Sequence, residues 1–121
     1  MIPLAVPNLS GRESEYLQQC IKTNFVSSVG PFVNLFEGKV AEASGASFAV
    51  ATSAGTTGLH VALEAMGVGR NDLVVLPSFT FIASANAITY CGASPWLFDI
   101  SEENWTLDSA LLDKSLASQT Y

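Results

Sequence analysis

The sequence predicts an α/β fold in which N-terminal helices precede a mainly parallel β/α/β sheet. Three observations lead there. Runs of strand formers at residues 48–52, 73–77 and 95–100 alternate with helical patterns at a spacing of roughly 23 residues, as in strand–helix–strand units. Residues 43–63 and 73–98 contain no Asp, Glu, Lys or Arg, which is how strands covered on both faces read. Finally, 49% of the 121 residues are apolar and only 13% are charged, against about 25% charged in ordinary globular domains. A mean hydropathy of +0.34 supplies apolar material for a core and excludes a disordered chain.

The elements follow in order. Ser10-Gly11-Arg12-Glu13 fits a capping box, in which hydroxyl and carboxylate each satisfy a free amide at a helix start. A helix over residues 11–23 is expected, with Tyr16, Leu17, Cys20 and Ile21 on its buried face. Residues 24–30 have no helical period. Pro31 suits the first position of a second helix, where its missing N–H costs nothing, with Val33, Phe36 and Val40 as the buried stripe and Gly45 as the stop. The strand expected at residues 48–52 leads through Ser53-Ala54-Gly55-Thr56-Thr57 into a helix. Its apolar positions Leu59, Ala62, Leu63 and Met66 recur at helical spacing, and Gly67 ends it. Residues 73–77 form the next strand, residues 80–91 a helix ending at Gly92, and residues 95–100 the third strand. Asp108 is placed to cap a last helix through Leu111, Leu112 and Leu116. Residues 1–45 thus read as a helical arm and residues 46–121 as a β/α core of one domain.

Composition excludes several classes of function. Eleven acids against five bases give a formal charge of −6, and Arg12, Lys22, Lys39, Arg70 and Lys114 are scattered, so no nucleic-acid surface is expected. The neutral stretches are interrupted by Pro, Gly, Asn, Ser and Thr and do not read as membrane spans. The N-terminus lacks the basic and apolar regions of a signal peptide. Cys20 and Cys91, 71 residues apart, read as reduced structural thiols of a cytoplasmic protein and not as metal ligands.

The turn Ser53-Ala54-Gly55-Thr56-Thr57 is the most informative segment. At a strand-to-helix junction the first helical amides are unpaired and the dipole is positive, so the turn can hold a phosphate, with Thr56 and Thr57 adding hydroxyls and Gly55 allowing close approach. Simple capping of the helix by Ser and Thr is the structural alternative. The segment is neither a dinucleotide fingerprint nor a P-loop, which disfavours a Rossmann-type nucleotide binder. Residues 77–86 occupy the corresponding position after the next strand, where open α/β sheets gather ligands. Phe79 or Phe81 there could stack on a flat cofactor ring, although an isolated aromatic of this kind is more often core. His60, the single histidine, is expected to be packed and hydrogen-bonded, Asp99 to cap the turn after its strand, and Glu102 and Glu103 to be solvated. No acid/base pair and no activated nucleophile stands out.

Taken in order, Ile2-Pro3-Leu4, the run from Phe25 to Pro31, the run from Ala49 to His60, the run from Leu76 to Ile88, and Pro95 to Ile100 resemble the N-terminal part of the DegT/StrS-type sugar aminotransferases. These are fold-type I enzymes that use pyridoxal phosphate (PLP) to aminate keto sugars carried on nucleotides. The wording at Ser27-Ser28-Val29-Gly30 and Tyr90-Cys91-Gly92-Ala93 is most similar to the subgroup acting on UDP-linked 4-keto sugars of nonulosonic acid pathways such as legionaminic acid. The resemblance implies that the Gly55 backbone, Thr56 and Thr57 contact the PLP phosphate, that Phe81 stacks on the pyridine ring, and that Ser27 and Ser28 belong to a loop lining the sugar end. Where the family commonly reads Ser-Gly-Thr-Ala-Ala, this chain has Ala54-Gly55-Thr56-Thr57-Gly58.

The same resemblance places the Schiff-base lysine and the aspartate that pairs with the pyridine nitrogen beyond residue 121, and Lys22, Lys39 and Lys114 match neither. Transamination needs both groups. The expectation is therefore a truncated part of the PLP-binding large domain, inactive alone and belonging to a homodimeric enzyme that uses a nucleotide sugar and an amino donor, glutamate by the resemblance. A non-catalytic phosphate-binding or interaction module related to these enzymes is the alternative. No metal is implied.

Overall fold

The computed structural model describes residues 2–3 and 5–118. They form five helices and two strands in the order α1 (Glu13–Thr23), α2 (Pro31–Ser44), α3 (Gly55–Ala65), β1 (Leu73–Pro77), α4 (Ile82–Tyr90), β2 (Ser94–Phe98) and α5 (Ser109–Ser118). The chain divides into two compact units, Met1–Ala51 and Thr52–Tyr121.

In the first unit, α1 starts later than the capping-box pattern suggests. The Ser10 hydroxyl and amide both bond the Asn8 carboxamide oxygen, at 2.7 and 3.1 Å, so Ser10 closes a local turn instead of a helix. Arg12 takes the cap position without a side-chain cap, its guanidinium held by Glu15 at 2.8 Å and lying over the Tyr16 ring. The far end is closed by Asn24, left-handed at φ 60°, with Asn24 and Phe25 amides bonding the Ile21 and Cys20 carbonyls. Pro31 opens α2 and Gly45, at φ 70°, ends it, as the sequence predicts. Tyr16 meets Phe32 with ring centroids 5.3 Å apart. The apolar stripes of α1 and α2 are not buried as expected; Leu17, Ile21, Phe36 and Val40 are all exposed.

The strand expected at residues 48–52 does not form. A strand exists by its ladder, and among the described residues no chain pairs with this segment. Phe48 and Val50, the side chains a sheet would cover, are 87% and 79% exposed. The Ala51 amide is satisfied instead by the Glu37 carboxylate at 2.8 Å.

The second unit contains the parallel β/α/β element. β1 and β2 run parallel, with Leu73 opposite Ser94 through Pro77 opposite Phe98, and α4 crosses between them. The Ser78 amide extends the ladder to the Phe98 carbonyl at 2.7 Å. β2 begins one residue earlier and ends two earlier than the apolar run, because Ile100 pairs antiparallel with Leu107. Leu76, Ile88 and Ala93 form the core, with Leu63, Val68, Val74 and Ala85 packed around them, so α4 is held against the strands and α3 against α4 by their apolar faces. Gly92 turns the chain from α4 into β2 at φ 79°, a left-handed conformation that a side chain would strain. Asp108 accepts the Leu111 amide at 3.0 Å and caps α5 as expected. Among the described residues no helix is long and apolar enough to cross a membrane.

Candidate functional site: the turn into the third helix

Ala54 is extended (φ −158°, ψ 158°) and the helix begins at the next residue. The first intrahelical bond runs from the Gly58 amide to the Ala54 carbonyl at 3.1 Å. The amides of Gly55, Thr56 and Thr57 therefore precede the first hydrogen-bonded turn and are free to receive an anion at the positive end of the helix dipole. No lysine or arginine occurs between Lys39 and Arg70, so in this segment an anion would be held by amides and hydroxyls.

The two threonines do different work. Ala54 has only a methyl group, so just half of a capping box exists. Thr57 Oγ1 accepts the Ala54 amide at 3.2 Å and donates its one proton to the Ala54 carbonyl at 2.7 Å. The Thr56 hydroxyl, half-buried, has no hydrogen-bond partner among the described residues and is free to donate outward. A side-chain carbon built on Gly55 would meet nothing within 4 Å, so the approach to these amides is open. Gly58 faces the other way: a carbon there would lie 3.1 Å from Thr52 Oγ1, which itself donates to the Ala54 carbonyl at 3.1 Å. The turn is thus braced by Thr52 and Thr57 from behind and open at Gly55 and Thr56, an arrangement that fits a phosphate.

The two aromatic candidates also separate. Neither is core. Phe79 is 62% exposed and packs edge-on against Trp105, centroids 5.3 Å apart. Phe81 is 77% exposed, occupies the cap position of α4, and has no aromatic partner among the described residues. Trp105 did not stand out in the sequence, because its position depends on a left-handed backbone (φ 62°) within the loop joining β2 to α5.

In the first unit, Ser27 forms a local turn with Val29, its hydroxyl accepting the Val29 amide at 3.3 Å and donating to the Val29 carbonyl at 3.4 Å. Ser28 is exposed beside it. Phe25 folds over Gly30, where an added side-chain carbon would lie 3.0 Å from the Phe25 ring, and the φ of 144° at Gly30 would itself strain any side chain.

Of the remaining titratable groups, Asp99, Glu102 and Glu103 follow the structural expectations, whereas His60 is packed but its ring makes no hydrogen bond among the described residues. The Asp99 carboxylate accepts the Ile100 amide at 2.8 Å, and Glu102 and Glu103 are exposed. His60 is half-buried, edge-on to Tyr90 and 3.6 Å from Glu64. Burial pushes the Cys91 thiol above its ordinary pKa, and the charge and hydrogen bonding of Glu64 push in the same direction, so Cys91 is not an activated nucleophile.

Comparison with known proteins gives this geometry its context. GDP-perosamine synthase of Caulobacter vibrioides is 45% identical over 119 residues, covering 98% of this chain and 32% of that protein. EpsN of Bacillus subtilis, classed as a pyridoxal phosphate-dependent aminotransferase, is 37% identical and covers 95% of this chain and 30% of its own length. Among solved structures, Spr1654 of Streptococcus pneumoniae, classed as a sugar aminotransferase, superposes in its PMP-form with a TM-score of 0.80 at 26% identity, over 94% of this chain and 28% of that one. It is also known in a PLP-form, with a TM-score of 0.78. The chain spans about a third of the length of the curated relatives it matches. The parallel β/α/β element and a family match over residues 7–121 agree, and the chain belongs to the DegT/DnrJ/EryC1/StrS aminotransferase family of pyridoxal phosphate-dependent enzymes.

Proposed function

We propose that this chain forms the N-terminal, cofactor-phosphate-binding part of the large domain of an aminotransferase that transfers an amino group to a nucleotide-linked 4-keto sugar. The observation that carries the reading is the turn at α3: three amides and a Thr56 hydroxyl without partners among the described residues, and an unobstructed approach at Gly55. Similarity to GDP-perosamine synthases, at 45% and 38% identity in two bacteria, favours a GDP-linked sugar over a UDP-linked one. No comparable observation favours a free-standing binding module.

When bound, PLP supplies a carbonyl that accepts the donor's amino group and an electron-withdrawing ring that stabilises negative charge at the reacting carbon. This chain's residues bind and orient. The Gly55 and Thr56 amides and the Thr56 hydroxyl hold the phosphate, fixing one end of the cofactor. Thr57 adds its amide while its hydroxyl keeps the helix start closed on Ala54. Phe81 covers one face of the ring and excludes water from it. Ser27 and Ser28 are assigned to the nucleotide sugar. The lysine that anchors the cofactor and moves the proton, and the carboxylate that keeps the ring nitrogen protonated, belong to the remainder of the enzyme. A cytoplasmic homodimer with glutamate as donor completes the proposal.

The test uses the full-length enzyme. Thr56→Val removes one donor and leaves the helix cap in place. The expected result is PLP-dependent thermal stabilisation reduced relative to the wild type, with the Tm of the cofactor-free protein unchanged. Equal stabilisation of both proteins overturns the assignment.

A further inference from the structure

Away from the phosphate turn, the packing of α3 on α4 brings together three metal-ligating groups that the proposed cofactor site does not use. His60 and Glu64 lie one turn apart on α3, Nε2 and Oε1 separated by 3.6 Å. Cys91 caps α4 and comes across to them, and one ligand atom from each of the three residues lies within 4.8 Å of the others. The Tyr90 ring stands edge-on to the His60 imidazole, centroids 5.6 Å apart. The Cys91 sulfur lies between the two helices, 3.3 Å from the Ala87 carbonyl of α4 and 3.9 Å from the His60 carbonyl of α3. Both cysteines of the chain are free, so no disulfide competes for the sulfur.

We propose that His60, Glu64 and Cys91 form a binding site for a divalent transition metal, with Zn²⁺ as the best-matched ion. A thiolate, an imidazole and a carboxylate are the donors zinc takes, whereas Ca²⁺ and Mg²⁺ require oxygen ligands. Tetrahedral zinc, with bonds of about 2.0–2.3 Å, sets neighbouring ligand atoms about 3.3–3.7 Å apart. His60 and Glu64 already meet that spacing, and helical neighbours four residues apart are a recurrent way to present two ligands on one face. Torsion of the Cys91 and Glu64 side chains closes the remaining ångström or so. On binding, the Cys91 S–H bond breaks as the sulfur–zinc bond forms and the proton passes to solvent, with no change of oxidation state. Three protein ligands leave the fourth position open to solvent or a small ligand. The bound ion ties α3, which begins at the phosphate turn, to α4, which begins at Phe81.

The sequence concealed this site because His60 and Glu64 stand 31 and 27 residues from Cys91. Only the packing of the two helices joins them.

Alkylation of the full-length protein with N-ethylmaleimide, followed peptide by peptide by mass spectrometry with and without ZnCl₂, tests the proposal. Cys20, half-buried like Cys91, is the internal control. One equivalent of Zn²⁺ is expected to slow alkylation of Cys91 at least about tenfold and to leave Cys20 unchanged, with EDTA restoring the rate. In the His60→Gln/Glu64→Gln double variant Cys91 is expected to react equally fast with and without the ion. An unprotected Cys91 in the wild type, or undiminished protection in the double variant, overturns the proposal. If the double variant does not fold, Glu64→Gln alone decides: Glu64 is exposed, and protection weakened about tenfold supports the site while unchanged protection rejects it.

Discussion

Thr57 Oγ1 and the Ala54 backbone bond each other twice, the hydroxyl accepting the amide at 3.2 Å and donating to the carbonyl at 2.7 Å. The hydroxyl next door, on Thr56, makes no such bond among the described residues. Adjacent threonines in one turn thus divide into a brace and a free donor. Thr57→Ala is expected to destabilise the cofactor-free protein by about 0.5–2 kcal/mol, the usual cost of a lost cap. Thr56→Val should leave that stability alone and weaken PLP binding by about tenfold, the loss of roughly one hydrogen bond to a charged group. Chemical denaturation of the apo protein and a PLP titration of each variant separate the two roles.

A similar division applies to Phe79 and Phe81. Phe79→Leu breaks the edge-to-face pair with Trp105 and is expected to cost about 0.5–1.5 kcal/mol and to change tryptophan emission. Phe81→Leu, at an exposed cap position, should leave stability unchanged and reduce PLP affinity. Intrinsic fluorescence and a PLP titration, run on both variants, check the assignment.

Gly58 sits inside α3, where alanine would ordinarily gain about 1 kcal/mol. Here the added carbon meets Thr52 Oγ1 at 3.1 Å, so Thr52 must rotate and give up its bond to the Ala54 carbonyl. Gly58→Ala is therefore expected to be near neutral, and Thr52→Ala/Gly58→Ala to be more stable than Thr52→Ala by the full helix-propensity gain. The double-mutant cycle, measured by denaturant midpoints, reads the coupling.

Ile88 is 3% exposed in the core between α4 and the sheet, and Ile88→Ala should cost about 2–5 kcal/mol. Leu111→Ala, on the more exposed surface of α5, is expected to change stability by well under 1 kcal/mol. Denaturant titration of the full-length enzyme compares them.

The low charge of the chain has a counterpart on its surface: Leu73, Leu97, Phe79, Phe81 and Ile82 all expose most of their side chains in one unit. An isolated 121-residue polypeptide is expected to associate in solution, and Leu97→Lys to reduce that association. Sedimentation velocity measures both. A cooperatively folding monomer would show that the scarcity of charge has another cause.

Much of this was legible in the residues because its causes are local. Pro31 and Gly45 bound α2, Asp108 caps α5, and the uninterrupted apolar runs mark β1 and β2. The strand expected at residues 48–52 does not form, because propensity and apolarity describe what a segment can do, while a ladder requires a partner. Ser10 misled for a related reason: its hydroxyl can serve a helix or a turn, and the Asn8 carboxamide two residues away captured it. At the site, the turn itself was plain from Gly55 and the threonines. The separate duties of Thr56 and Thr57 were not, nor was the capture of Phe79 by Trp105, since both depend on where side chains come to rest.

The register of the parallel pair carries one more consequence. Leu73 faces Ser94 only 21 positions later, so the two strands meet by closing a short loop that α4 itself fills. The entropy of closing a loop that length is about 3 kcal/mol, small beside what the long-range pairings of a larger sheet demand. Parallel strands are ordinarily slow to form because their contacts are distant in sequence. Here they are close, and the β1–α4–β2 element is expected to gain hydrogen-exchange protection first and serve as the seed on which α3 and α5 assemble.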